Sequence, residues 1–354
     1  MSPVTLANVA ERAGVTVPTA SKVLNGRTDV SAATRARVLA AVAETGYRSR
    51  RAHGAARADD ESGLIDLVIS GVEGTWANRA LSGVEFAANL VGLDVVVMVA
   101  RPAVDRDWAA RLVARRSSGA VLALVEPTSE QYAALAVARI PVVIMDPRTD
   151  PPAHVPSVGA GNWAGGRAAA QHLVDLGHRH LGVIAGAPNH LYGQARVDGF
   201  GSVLREHGLQ VRECDVVHAD WAYVGAVSAA IRLLERPDRP SAVFACSDNM
   251  ALGALEAARR LGVRVPEELS VIGYDDAPEA RWTTPQLTTI RQPVAEMGAA
   301  ALRMLLRVRG GADPIVGDGH TPREELATRL VARGSTAPGP AVGEPHRTGK
   351  EEDG

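Results

Sequence analysis

From residue 64 onward, the chain alternates short β-branched apolar runs with longer segments that are rich in alanine and arginine. The runs have the length of buried strands, and the intervening segments have the length of helices. Parallel strands covered by helices on both faces satisfy this pattern, because such strands are buried on both sides. The predicted strands occupy residues 64–70, 93–99, 119–125, 141–145, 181–185, 241–245 and 269–273.

Residues 64–333 are numerous enough to form two such sheets, which predicts a body of two lobes. We expect the chain to pass from the first lobe to the second near Val158–Asn162 and to return near Thr289–Gln292. In sheets of this kind a ligand binds at the carboxyl ends of the strands. The cleft between the lobes is therefore the expected ligand site.

The first 47 residues predict three short helices. Gly14 ends the first helix, Thr16 caps the second, and Ser31 caps the third. Pro18 is tolerated because it lies in the first turn of the second helix, where backbone N–H groups lack intrahelical partners. Two short helices joined at a glycine are typical of a DNA-reading unit. The apolar stripe of the first helix consists of Leu6, Val9, Ala10 and Ala13, and that of the second consists of Ala20, Val23 and Leu24.

The charge distribution supports this interpretation. Residues 1–57 carry nine lysines or arginines against three acids, a net charge of +6, whereas the whole chain has −2. The remainder therefore carries −8, and the basic head indicates a polyanionic partner. A small three-helix domain that contacts only protein is the alternative.

Residues 5–26, 30–38 and 46–47 together resemble the head of the LacI/GalR family of bacterial transcription regulators, and further similarity extends to about residue 333. The resemblance implies an all-α helix-turn-helix head and a periplasmic-binding-protein-like body of two doubly wound parallel sheets. It also implies a homodimer that binds palindromic double-stranded operator DNA. The expected function is that of a repressor whose operator affinity is controlled by a small-molecule effector, most simply a sugar, bound between the lobes.

We divide the chain accordingly into four parts. Residues 1–47 form the helix-turn-helix domain, residues 48–63 a hinge linker, and residues 64–333 the effector-binding and dimerisation domain. Residues 334–354 are rich in glycine, proline and charge, which predicts a disordered tail.

The resemblance assigns base reading to the start of the second helix and to the basic residue one turn later. Val17 and Pro18 cannot donate hydrogen bonds there, so we expect apolar contact with a thymine methyl group, while Lys22 donates to guanine O6 or N7. Hydroxyl, amide and backbone donors are expected to contact phosphates. These predicted phosphate partners are Thr5, Thr16, Ser21, Asn25, Ser31, Thr34 and Tyr47.

The linker departs from the family pattern, in which a hinge helix inserts a leucine into the minor groove and kinks the DNA. Ala56 stands at the wedge position here, and Gly54 lowers helix propensity by about 1 kcal/mol relative to alanine. We expect weaker ordering of the hinge, with minor-groove contact through Arg50, Arg51 or Arg57.

Carboxylates follow three of the predicted strands. Asp146 ends the strand at 141–145, Asp248 follows the strand at 241–245, and Asp275 follows the strand at 269–273. Carboxylates accept hydrogen bonds from hydroxyl groups, which suits a polyol or a sugar. An aspartate after a strand can also cap the next helix, which is the alternative role for Asp248.

Other candidate effector contacts are Arg196 and two tryptophans. Arg196 offers a planar fork for a ring oxygen and a hydroxyl, Trp221 can stack on an apolar sugar face, and Trp76 can close the other side. The resemblance assigns effector binding to Arg196, Trp221 and the three aspartates. The alternatives are an ion pair of Arg196 with Asp198 or Asp220, and a core position for each tryptophan. A nucleobase is an alternative effector, because stacking and an arginine suit it as well.

Several functions are not indicated. No serine or cysteine has an identifiable base and orienting group at informative spacing, so we do not expect an enzyme. The histidines at 172, 178 and 180 fit a helix end and the following strand rather than a metal site, and we expect no cofactor.

We expect a cytoplasmic protein without membrane contact, because the sequence has two widely spaced cysteines, no membrane-length apolar run and no signal peptide. The alternative function is a cytoplasmic sugar-binding or sugar-modifying protein whose head contacts protein.

Overall fold

A computed structural model describes residues 5–24, 30–45, 63–101, 107–310 and 321–340. The head contains α1 (Leu6–Ala13), α2 (Val17–Leu24) and α3 (Ala32–Thr45). Gly14 adopts a left-handed φ of 63° at the end of α1, as its sequence position predicts. The backbone N–H of Thr19 donates to Thr16 Oγ1 over 3.3 Å, and that of Thr34 donates to Ser31 Oγ over 3.2 Å. The three predicted helices and their caps are therefore confirmed.

The body consists of two lobes, and each contains a six-stranded sheet. The first sheet is wholly parallel, and the second is parallel except for its last strand, which runs antiparallel to its neighbour. This arrangement confirms the predicted pair of doubly wound sheets. In chain order the elements are β1 (Leu64–Ile69), α4 (Thr75–Asn89), β2 (Asp94–Val99), α5 (Trp108–Ala114), β3 (Ala120–Ala123), α6 (Ser129–Val137), β4 (Val142–Met145), β5 (Ser157–Ala160), α7 (Asn162–Asp175), β6 (Leu181–Ala185), α8 (Leu191–Glu206), β7 (Val216–His218), α9 (Tyr223–Leu234), β8 (Ala242–Ala245), α10 (Asp248–Arg260), β9 (Ser270–Asp275), β10 (Thr288–Arg291), α11 (Val294–Arg309), β11 (Arg323–Leu326) and β12 (Arg329–Val331).

The strand order is β11-β5-β4-β3-β1-β2 in the first sheet and β12-β10-β9-β8-β6-β7 in the second. The chain therefore leaves the first lobe after β5 and returns after β10, at the two places that the sequence predicts. It crosses a third time between β11 and β12, at residues 327–328. The sequence analysis missed this crossing because both strands are short, exposed edge strands that lack an apolar run.

The start of the predicted tail is ordered, which corrects the assignment of residues 334–340 to a disordered segment. Ser335 is fully buried, and its Oγ accepts from the backbone N–H of Thr288 over 2.8 Å. The carbonyl oxygen of Ser335 accepts from the backbone N–H of Val271 over 2.8 Å. Glycine and proline content alone did not reveal these hydrogen bonds, because they depend on the adjoining sheet.

Within the described ranges, no helix is both long enough and apolar enough to cross a bilayer.

Glycines bring α7 and α8 into direct backbone contact. A Cβ atom on Gly166 would lie 2.0 Å from the carbonyl oxygen of Arg196, and one on Gly199 would lie 2.0 Å from the carbonyl oxygen of Trp163. Real side chains do not approach backbone atoms so closely, so only glycine fits at either position. This contact fixes α8, which carries Arg196, against the amino-terminal half of α7.

We expect Gly199→Ala to lower the free energy of unfolding by about 1 to 3 kcal/mol, because the added methyl group overpacks the contact between α7 and α8. Gly201→Ala, in the same helix, is the matched control. A Cβ atom there would meet only the flexible end of Arg205, at 3.2 Å. That variant should be neutral or more stable by about 0.5 to 1 kcal/mol, through helix propensity. Urea unfolding measures both, and equal effects of the two substitutions would contradict this account of the contact.

Candidate functional site

The second helix of the head presents the predicted base-reading residues to solvent. Val17 is 43% exposed, and Pro18 and Lys22 are also exposed, whereas Ala20 and Val23 of the same helix are buried in the head core. A short helix with one buried stripe and a small-residue outer face has the dimensions that a major groove accepts. The structure thus places these three residues together on one open surface.

Several predicted phosphate contacts are in fact helix caps. Thr5 Oγ1 accepts from the backbone N–H of Asn8 over 3.4 Å, and Thr16 and Ser31 cap α2 and α3 in the same way. A capped helix N-terminus is still a favourable place for a phosphate, because backbone N–H groups and the helix dipole point outward there. The predicted contacts Asn25, Tyr47, Arg50, Arg51 and Arg57, and the hinge residues Gly54 and Ala56, lie outside the described residues.

All six predicted effector-binding residues line one cavity of about 200 Å³ between the two lobes. These residues are Trp76, Asp146, Arg196, Trp221, Asp248 and Asp275. They come from both lobes, and the three aspartates lie at the carboxyl ends of strands, as predicted. The cavity is smaller than the roughly 300 to 1,000 Å³ of drug-sized ligand sites, so it suits a small molecule.

Four non-glycine residues that line this cavity have a positive φ: Leu124 at 54°, Asp146 at 53°, Trp221 at 67° and Asp275 at 119°. Non-glycine residues adopt this conformation rarely, at a cost of order 1 to 3 kcal/mol each. Such backbone strain is concentrated at ligand sites in proteins because the surrounding structure must impose it. The backbone therefore supports the assignment of this cavity as a binding site.

Arg196 is the buried positive centre of the cavity, with 3% of its surface exposed. Its Nε donates to Asn162 Oδ1 over 2.8 Å, and its Nη1 donates to the carbonyl oxygen of Cys246 over 2.6 Å. Its Cζ atom lies 3.7 Å from the centre of the Tyr274 ring, which is a cation–π contact. Its Nη1 also lies 3.8 Å from Asp275 Oδ1, so its closest charged partner is a cavity residue rather than Asp198 or Asp220.

Protein groups contact all three carboxylates, and those of Asp146 and Asp248 accept hydrogen bonds from side chains. Asp146 Oδ2 accepts from Gln292 Nε2 over 3.3 Å. Asp248 Oδ1 accepts from Thr289 Oγ1 over 2.6 Å, and its Oδ2 accepts from the backbone N–H of Ala277 over 2.7 Å. Ser247 rather than Asp248 caps α10, so the capping alternative for Asp248 is wrong. Each carboxylate oxygen has a further lone pair that a ligand hydroxyl could use.

The carboxylates crowd one another, which disfavours their charged forms. Burial raises the pKa of Asp146, despite the charge of Arg196 and hydrogen bonds from Gln292 and other neighbours. Burial also raises the pKa of Asp275 to about 7, with Arg196 opposing and Asp146 adding to the shift. The pKa of Asp248 rises well above its usual value through burial and the nearby charge of Asp275. The cavity thus holds negative charge at an energetic cost.

The sequence analysis missed several residues at the cavity. Tyr192 and Tyr274 lie against Arg196, and no sequence pattern separates them from core aromatics. Hydrogen bonds from Arg79 and Thr75 join the lobes at the cavity rim. Arg79 Nη2 donates to the carbonyl oxygen of Asp276 over 2.9 Å, and Thr75 Oγ1 donates to Glu279 Oε1 over 3.0 Å. These partners are about 200 positions apart in the chain, so only the fold brings them together.

Comparisons with known proteins agree with this architecture. The family described as bacterial regulatory proteins, lacI family, matches residues 5–49, and the periplasmic binding protein-like domain matches residues 170–336. The HTH-type transcriptional repressor PurR of Yersinia enterocolitica is 34% identical over 340 residues, covering 95% of this chain and 98% of that protein. PurR of Serratia proteamaculans is 32% identical over 342 residues, covering 96% of this chain and 98% of that protein.

Solved structures show the same likeness. A complex of the transcriptional regulator CelR with cellobiose has a TM-score of 0.71 and 31% identity, covering 94% of this chain and 99% of that one. The lac repressor dimer bound to operator and the anti-inducer ONPF has a TM-score of 0.68 and 28% identity, covering 95% of this chain and 100% of that one.

We expect Asp275→Asn to stabilise the ligand-free protein at pH 8 by on the order of 2 kcal/mol and to have little effect at pH 4. The folded-state pKa of Asp275 lies above its unfolded value, so this group reduces stability as the pH rises from about 4 to about 7. The asparagine removes that charge. Thermal unfolding across this pH range measures the effect.

Asp276→Asn is the matched control, because the adjacent carboxylate has the opposite environment. Burial opposes ionisation of Asp276, but hydrogen bonds from Arg333 and Arg291 lower its pKa. This variant should lose about 3 kcal/mol at pH 8, because the arginines lose a buried partner. If both substitutions shift stability in the same direction, the electrostatic account of the cavity is wrong.

Proposed function

The chain belongs to the lacI family of bacterial regulatory proteins, and from that premise we propose that a sugar bound between its lobes sets its affinity for operator DNA. As a member of this family, the protein is a DNA-binding transcriptional repressor with a ligand-binding, periplasmic-binding-protein-like domain. Its relatives are repressors rather than enzymes. The match of residues 5–49 to DNA-binding regulators disfavours the alternative that the head contacts only protein.

The observation that carries the sugar proposal is the combination of the three strand-end aspartates, the buried guanidinium of Arg196 and two indole rings around a small cavity, with Arg79 and Glu279 at its rim. Hydroxyl groups can donate to an ionised carboxylate and accept from a protonated one, so a ligand with many hydroxyls suits this cluster. Asp146 and Asp275 would accept from ligand hydroxyls, Arg196 would donate to ring and hydroxyl oxygens, and Trp221 and Trp76 would cover the apolar faces. A nucleobase offers fewer donors than a sugar and would use fewer of the remaining carboxylate lone pairs. The similarity to the regulator CelR, whose structure is a complex with cellobiose, agrees with a sugar.

The cavity is placed so that its occupant can act on the head. The linker joins the body at Gly63, at the amino end of β1, whereas the cavity lies at the carboxyl ends of the strands. A ligand that binds both lobes would stabilise one relative arrangement of the lobes, as the rim contacts of Thr75 and Arg79 already do. A change in that arrangement would move the points from which two linkers emerge in a dimer.

We also propose that the protein acts as a homodimer. The second lobe exposes a cluster of large apolar side chains: Tyr223 at 41%, Val224 at 74% and Trp282 at 74%. Exposed aromatic residues of this kind are enriched at protein interfaces. Residues near them line a groove that includes Leu252, Leu255 and Pro285. Two copies joined here would present two heads to a palindrome with half-sites about 34 Å apart.

The proposed DNA contacts follow from the exposed face of α2. Val17 and Pro18 would contact a thymine methyl group, and Lys22 would donate to a guanine. Thr5, Thr16, Ser21, Ser31 and Thr34 would contact phosphates, through capped helix ends for the three residues that act as caps. Asn25, Tyr47, Arg50, Arg51 and Arg57 stay predictions from the sequence, because they lie outside the described residues.

A thermal-shift panel of pentoses, hexoses, disaccharides and nucleobases tests the proposed effector class. A ligand at 100 times its dissociation constant stabilises the folded protein by about 2.7 kcal/mol. We expect a sugar to do this and to change the affinity for DNA fragments that flank the gene, with two chains bound per duplex. Asp275→Asn should keep DNA binding and lose the sugar response. A nucleobase as the only stabilising ligand would overturn the sugar proposal.

Lys22→Ala should weaken specific operator binding by about 1 to 3 kcal/mol and relax the base preference at one position. The control is Arg12→Ala, because Arg12 lies in α1 and forms an exposed ion pair with Glu44 over 2.7 Å. That variant should leave the base preference unchanged. Binding to a library of operator variants measures both. Equal weakening on every sequence by Lys22→Ala would mean that Lys22 contacts only phosphate.

A further inference from the structure

The indole of Trp221 lies in a narrow slot at the cavity wall. A Cβ atom on Gly186 would lie 1.9 Å from Trp221 Cζ2, and one on Gly193 would lie 3.0 Å from the same ring. Any larger residue at Gly186 would therefore displace the indole. The slot sets where the ring lies, and the polar edge of the ring is held by a second contact.

That second contact is His190, the residue that precedes α8. Trp221 Nε1 donates to His190 Nδ1 over 2.9 Å, and the two ring planes differ by only 14°. An indole N–H can only donate, so Nδ1 must be the unprotonated nitrogen of the imidazole. Tyr192 Oη lies 2.8 Å from the same Nδ1 and competes with the indole for its single lone pair. Either bond requires His190 to be neutral, with its proton on Nε2.

The surroundings of His190 favour this neutral form. Burial lowers the pKa of His190, the charge of Arg148 lowers it further, and Glu126 opposes the shift. Burial also raises the pKa of Tyr192 to about 12, so its hydroxyl remains a donor. His190 is not among the described residues that line the cavity, so it acts on a ligand only through its neighbours.

We propose that His190 is a positioning residue that fixes the ring plane of Trp221, and that its protonation releases the indole from the cavity wall. When Nδ1 gains a proton it becomes a donor, and it can then accept from neither Trp221 nor Tyr192. The charged groups that face the imidazole are Arg148 and Glu126. The consequence for effector binding depends on the proposed function, in which Trp221 stacks on the ligand.

Two substitutions separate hydrogen bonding from the shape of the side chain. In His190→Asn, the side-chain oxygen can still accept from the indole near the position of Nδ1. In His190→Leu, the side chain has a similar volume but no acceptor. Both variants are compared with the wild-type protein at pH 8, where His190 is neutral in the folded protein.

The direct readout is the indole N–H resonance of Trp221 in ¹⁵N-tryptophan-labelled protein, identified by its absence in Trp221→Phe. We expect this proton to exchange slowly with solvent in the wild type and in His190→Asn, and at least tenfold faster in His190→Leu. In the wild type, the resonance should shift as the pH falls below the usual pKa range of histidine. His190→Asn should show no such transition. An unchanged resonance in His190→Leu and at low pH would overturn the proposal.

Effector affinity is the second readout. For a sugar identified by the thermal-shift panel, we expect His190→Leu to weaken binding at least tenfold and His190→Asn to weaken it less than threefold. A changed resonance with unchanged affinity for that sugar would mean that Trp221 does not contact it, which contradicts the role of Trp221 in the proposed function and leaves its contact with His190 intact. Equal loss in both variants would show that the ring shape of His190 matters, and its acceptor does not.

Discussion

The charge of Arg196 is the constraint on which the rest of the cavity depends. Its guanidinium is buried between Asp275, the Tyr274 ring and the carbonyl oxygen of Cys246. The charge of Arg196 lowers the energetic cost of the clustered carboxylates, and the Tyr274 ring and the carbonyl oxygen of Cys246 hold the guanidinium as well. The position of Arg196 depends in turn on Gly199, which allows α8 to contact α7 backbone to backbone. The polar chemistry of the site therefore rests on a steric feature of two helices.

Arg196 and Arg79 compensate the carboxylates only in part, since the pKa values of Asp146, Asp248 and Asp275 stay raised, and the cavity therefore favours a ligand that can donate hydrogen bonds. The same cavity lies between two sheets that are joined by three crossings of the chain, after β5, after β10 and between β11 and β12. Because the chain crosses between the lobes three times, the lobes can move only to a limited extent about these crossings. In the proposed function, a ligand that binds both lobes acts across that region and shifts the amino end of β1, where the predicted linker joins the body. This geometry explains how a small polar cavity can influence a distant DNA-binding head.

Much of the fold could be predicted from the sequence, because apolar runs and helix caps are local signals. The aspartates at strand ends were predictable for the same reason, since a strand ends at a recognisable position. Arg79 and Glu279 were not predictable, because their roles depend on contacts between lobes that are distant in sequence. Tyr192 was not predictable, because no sequence pattern separates it from a core aromatic residue. The segment around Ser335 was wrongly assigned to a disordered tail, because its composition resembles disorder while its backbone bonds to a neighbouring sheet. Sequence thus indicates which side chains a site uses more readily than what holds them in place.

The central claim is that the cavity and the DNA-binding head are energetically coupled. Calorimetric titration of the effector into the free protein and into the operator-bound protein tests it most directly. The account predicts that the two effector dissociation constants differ by about 5-fold to 150-fold. It also predicts that the effector changes operator affinity by the same factor, because linkage is reciprocal. Identical effector affinities with and without operator would contradict the account.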